Sequence, residues 1–148
     1  MSNYKELSNY DIENILKNKQ IRINGIFSKD KLPKQLSNGF YIINIQNSDD
    51  GDGTHWTCFL KKNDEIFYMD SFGSPAPIEV QNHFKEYYYS DEQIQDINSE
   101  ACGYYCIAFI EFMHKIKNPN KNDYKKFVKI FKKNPKYNEK ILKNLIKI

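Results

Sequence analysis

Cys102 is the side chain in this sequence best placed to do chemistry. It opens the stretch Cys102-Gly103-Tyr104-Tyr105-Cys106-Ile107-Ala108-Phe109-Ile110-Glu111-Phe112-Met113, which is apolar on most sides for three helical turns. Such a pattern predicts a buried central helix. Ser99 stands before it as the expected N-cap, which puts Cys102 in the first turn. There the unpaired backbone N–H groups and the helix dipole favour negative charge, so a thiolate is stabilised and a nucleophile results. The plain alternative is a small core residue.

A thiol nucleophile needs a base. His55 and Asp70 lie fifteen residues apart, on two segments that read as a hairpin, Thr54–Leu60 and Glu65–Asp70. If the turn is centred between Lys62 and Asn63, Leu60 faces Glu65, Cys58 faces Phe67 and His55 faces Asp70. Directly opposed Cβ atoms lie about 4.5–5.5 Å apart, which suits a carboxylate that orients an imidazole. A turn on Asn63-Asp64 sets His55 opposite Phe72 instead. Both registers fit the sequence. Gln95 precedes Cys102 by seven residues. An amide donor there can complete an oxyanion hole with the Cys102 N–H, and one such donor is worth about 10²–10³ in turnover. On spacing alone Gln93 is equally eligible.

Cys58 and Cys106, taken with His55 and Cys102, raise a zinc reading. Residues three apart on a strand face opposite ways, so His55 and Cys58 do not share a metal easily. Cys106 falls one turn below Cys102 and reads as core, while His83 and His114 read as surface residues.

The elements that must position these residues follow from the surrounding pattern. Ser8 and Asp11 have capping-box spacing, with Leu7 and Ile12 as a hydrophobic staple, and open an N-terminal helix. Phe40–Ile45 reads as a buried strand, and Asn47–Gly53 as a loop. Val80–Tyr88 reads as a helix with Val80, Phe84, Tyr87 and Tyr88 inward, and Gln93–Gln95 as a short extended piece. Two amphipathic helices follow Pro119 and Pro135. The 148 residues are expected to form one α+β domain, with a lead-in over 1–39, a core over 40–113 and basic helices over 114–148.

The net charge of +3 conceals a division. Residues 115–148 carry twelve lysines against Asp123 and Glu139, a balance of +10, and the rest of the chain stands at −7. The tail reads either as the solvated faces of two helices or as an attachment to nucleic acid. Three cysteines imply no disulfide framework, and a reducing intracellular setting fits. No apolar run reaches membrane-spanning length, so no membrane partner is expected, and the N-terminus lacks the apolar core of a signal peptide.

Gly53-Thr54-His55-Trp56, then Tyr68-Met69-Asp70-Ser71-Phe72-Gly73, then Gln95 and Ser99-Glu100-Ala101-Cys102-Gly103-Tyr104-Tyr105-Cys106 resemble the adenovirus-type maturation cysteine proteases. Related enzymes occur in virophages, Polinton-like elements and large DNA viruses, and SUMO-specific proteases of the same clan share the order His, Asp, Gln, Cys. The resemblance runs from about Phe40 to Met113. It implies a central helix packed on a mixed sheet, His55 as general base, Asp70 as its orienter, Gln95 as oxyanion donor and Cys102 as nucleophile. Gly53 and Trp56 would touch substrate, with core packing as the other reading of Trp56. The implied activity is processing of capsid or other virion precursors after a small residue such as Gly, by a monomer in the virion and the host cell's viral factory. No cofactor is required, and stimulation by DNA is admitted. Phe84 lies about where a peptide-tethering cysteine is expected, which counts against peptide activation. Two other functions fit the sequence: a ubiquitin- or SUMO-directed protease of the same clan, and a non-catalytic basic module binding DNA or capsid.

Overall fold

A computed structural model describes residues 4–46 and 55–147. Helix α1 (Asn9–Asn18) is followed by strands β1 (Gly25–Ser28), β2 (Gly39–Asn44), β3 (Trp56–Lys62) and β4 (Glu65–Met69). Then come a short helix α2 (Ile78–Gln81), strand β5 (Tyr88–Tyr89), and helices α3 (Cys102–His114), α4 (Lys121–Lys129) and α5 (Asn138–Ile146). The strands form one sheet in sequence order. The inner pairs β2–β3 and β3–β4 are antiparallel, and the outer pairs β1–β2 and β4–β5 are parallel. The fold is therefore α+β with a mixed sheet.

Both faces of the sheet are covered, which is why its strands read as continuous apolar runs. Alternate residues divide between two cores. Ile42, Cys58, Leu60, Phe67 and Met69 face α1, α3, α4 and α5. Tyr41, Ile43, Phe59, Ile66 and Tyr68 face the other way, onto Leu32, Ala76 and Val80. Helix α3 is enclosed by the first core, and ten of its thirteen residues are buried. The Ser8–Asp11 capping box at α1 forms as expected. A second one, Asn120 with Asp123, opens α4. Among the described residues no helix is long and apolar enough to cross a membrane.

One open alternative is resolved and two expectations are corrected. The hairpin turns on Asn63-Asp64, so Leu60 pairs with Phe67 and Cys58 with Met69. The reason is local: Asn63 takes a left-handed conformation at φ 55°, which asparagine tolerates, and the side-chain oxygen of Asn38 accepts its N–H at 2.8 Å. Val80–Tyr88 is not one helix. Helix α2 stops at Gln81, and Tyr87, Tyr88 and Tyr89 alternate across the sheet edge, with Tyr87 and Tyr89 on one core and Tyr88 on the other. Three successive aromatics favour that extended, two-sided packing. Finally, the N-cap of α3 is Ala101 rather than Ser99. Strand β1 has no counterpart among the elements read from the sequence.

Candidate active site

Cys102 is the first residue of α3 and is 3% exposed. Among the described residues no side chain caps this helix end. The displaced Ser99 instead accepts from the Ala101 N–H at 3.1 Å and donates to the Glu139 carboxylate from α5. The sulfur of Cys102 accepts from the Trp56 backbone N–H at 3.4 Å, which fixes the start of β3 against the start of α3.

His55 immediately precedes β3, and its Nε2 lies 2.8 Å from Oδ1 of Asp70, which follows β4. The observed register sets His55 opposite Phe72, and the two rings stack with centroids 4.7 Å apart. The His55–Asp70 contact is thus diagonal across the hairpin, a separation that long side chains bridge. The same Oδ1 accepts the Phe72 N–H at 2.8 Å. With Nε2 engaged by Asp70, Nδ1 is the ring nitrogen left for Cys102, which acts on the imidazole's proton affinity. Burial works against a charged imidazole here. The hydrogen bonds to Asp70 and Cys102 outweigh it and raise His55 to about 9.

Gln95 is buried in the loop before α3. Its Nε2 donates to the Ser99 carbonyl at 2.9 Å, and its Oε1 accepts from the Ser71 hydroxyl. Gln93, the other eligible amide, donates to the Gln95 carbonyl at 2.9 Å. Trp56 is 4% exposed, and its indole N–H donates to the Leu7 carbonyl at 2.8 Å. It also forms part of the wall of a groove of about 620 Å³, shared with Leu7, Tyr10, Ile26, Phe27 and Asn44. The burial of Trp56 matches the core reading. Gly53 lies outside the described residues.

Cys58 and Cys106 are free and buried. Burial, then the hydrogen bond to Cys58, pushes the Cys106 thiol up, so it stays protonated. Among the described residues no group of three or more His, Cys, Asp or Glu is arranged to hold a metal. Ser71, Phe72 and Glu139 were missed from the sequence. Ser71 and Phe72 sit inside the Asp70–Gly73 stretch, but only the turn that follows β4 reveals their partners. Glu139 gave no signal beyond being one of two acids in a basic tail.

No family model matches the chain. No curated protein matches it either. The crystal structure of the ASFV pS273R protease superposes with a TM-score of 0.55 at 15% identity, covering 98% of this chain and 68% of that one. The chain shares that protease's fold. This is the α+β fold expected from the sequence, with the central helix on a mixed sheet. At this identity the likeness speaks for the fold. Membership in the narrower adenovirus-type group is not part of it.

Proposed function

We propose that the chain is a cysteine endopeptidase that processes capsid or other virion precursors, cleaving after a small residue such as Gly. The observation that carries this is the meeting of His55 with both Asp70 and the sulfur of Cys102 at an uncapped helix start. His55 takes the thiol proton and stands as an imidazolium beside the sulfur. Cys102 attacks the scissile carbonyl carbon, and the Cys102 N–H and the Gln95 amide hold the oxyanion. Collapse breaks the C–N bond, and His55 returns its proton to the departing amine. Water, deprotonated by His55, then releases the acyl group. No metal or cofactor enters these steps. A viral protease among its structural neighbours supports the viral setting, with the virion and the host cell's viral factory as the place of action.

Co-expression with a virion precursor tests this. Wild type is expected to generate new termini, mapped by mass spectrometry, and Cys102→Ala none. A ubiquitin-like fusion cut in preference to the precursor would favour the modifier-directed alternative, and identical products from both variants would favour a non-catalytic module.

The basic tail adds a second proposal. Lys121, Lys125 and Lys129 are exposed at successive four-residue steps on α4, so they share one row, and exposed Lys132 and Lys133 follow. We read this row as an attachment to nucleic acid that holds the enzyme near its substrates, and DNA as a stimulant. Affinity for duplex DNA is expected to fall steeply between low and moderate salt, measured by fluorescence anisotropy. An affinity indifferent to salt would remove the proposal.

A further inference from the structure

We propose that Ser71 is a positioning residue for the oxyanion donor: its hydroxyl fixes how the Gln95 amide is presented to the reaction. This rests on the cysteine protease reading above. Ser71 is fully buried and carries no chemistry of its own. Its hydroxyl meets Oε1 of Gln95, while Nε2 of the same amide lies 2.9 Å from the Ser99 carbonyl. A carbonyl only accepts, so the atom facing Ser99 is the NH₂ group, and the atom facing Ser71 is the oxygen. The Ser71 hydroxyl must then donate. One N–H of Gln95 is committed to Ser99, and the other is the one it has to offer an oxyanion. Without Ser71 the amide keeps only one of its two side-chain anchors.

The backbone of Ser71 strengthens the same link. Its carbonyl accepts the N–H groups of Ile94 at 2.9 Å and Gln95 at 3.0 Å. The turn that carries it is closed by the Gly73 N–H donating to the Asp70 carbonyl at 2.8 Å. Gly73 has φ +80°, and a Cβ there would come within 2.6 Å of the Asp91 carbonyl oxygen. Only glycine lets the turn press this closely on the 91–95 segment. Three consecutive side chains or amides thus serve the two halves of the site. Asp70 takes the imidazole, Phe72 covers its ring, and Ser71 between them takes the Gln95 amide. The base and the oxyanion donor are spaced by one tight turn.

Ser71→Ala, Gln95→Ala and the double variant test this against a peptide that wild type cleaves. Ser71→Ala is expected to lower kcat about tenfold to a hundredfold, less than or equal to outright loss of a donor at about 10²–10³. KM should stay within about twofold. In the Gln95→Ala background the same substitution should cost nothing further, because the group it acts through is gone. Alkylation of Cys102 by iodoacetamide develops no oxyanion, so its rate should match wild type in all three variants. A wild-type kcat in Ser71→Ala, an equal loss in both backgrounds, or slowed alkylation would each overturn the proposal. Wild type that cleaves no better than Cys102→Ala would instead fell the protease reading itself.

Discussion

His55→Ala is expected to lower kcat for peptide hydrolysis by about 10⁴–10⁶, the scale seen when a triad base is removed. The imidazole is the only group that touches both the sulfur of Cys102 and the carboxylate of Asp70 among the described contacts. The loss should fall on kcat rather than KM, since the ring acts in the transition state. Iodoacetamide labelling of Cys102 at neutral pH should slow in the same variant, and Cys58 and Cys106, both buried, should stay unlabelled until the protein unfolds. Steady-state kinetics and peptide mapping of the alkylated protein read these outcomes. Activity within tenfold of wild type would show that another group serves as base.

Asp70→Asn should cost about 10³–10⁴ in kcat, because an amide can present the wrong atom to the ring and leave the wrong tautomer in place. It should also change the pH dependence of stability. In wild type, burial opposes protonation of His55, but Asp70 and Cys102 raise it to about 9, above the unfolded value near 6.5. A raised histidine contributes stability that is fully present below pH 6.5 and is lost as pH climbs through about 9. Removing the carboxylate removes much of that contribution and should flatten the decline. Urea midpoints taken from pH 6 to pH 10 on both proteins measure it. Parallel curves would mean that the carboxylate does not hold the ring's proton.

Much of this architecture was legible because burial periodicity is a strong signal. The apolar run after Cys102 could only be an enclosed helix, and the strands around Ile42, Phe59 and Phe67 could only be covered on both faces. Cys102 was placed in the first turn by taking Ser99 as the cap; with Ala101 as the cap it is still in that turn, as its first residue. The register of the hairpin did not follow, because both turns place polar residues at the tip. The choice fell to the conformation of Asn63 and to the bond its N–H donates to Asn38, a residue on another strand's approach. The Val80–Tyr88 segment misled for a similar reason. Its aromatics satisfy helical spacing, but Tyr87 and Tyr88 serve opposite faces of the sheet. The cap of α3 was misplaced because Ser99 is tied to Glu139, forty residues away, and no local rule sees that pairing. The contacts that assemble His55, Asp70 and Gln95 are similarly long in sequence, so residue types announced them and only the fold could set their distances.

The enclosure of α3 has a dynamic consequence. Helix starts ordinarily fray, opening and closing at little cost in free energy. Ten of the thirteen residues of this helix are sealed inside the core, including the first turn, so its leading amides cannot loosen without breaching the interior. Donors tethered in this way keep their aim between turnovers, and no free energy is spent re-aiming them as charge develops on the bound carbonyl.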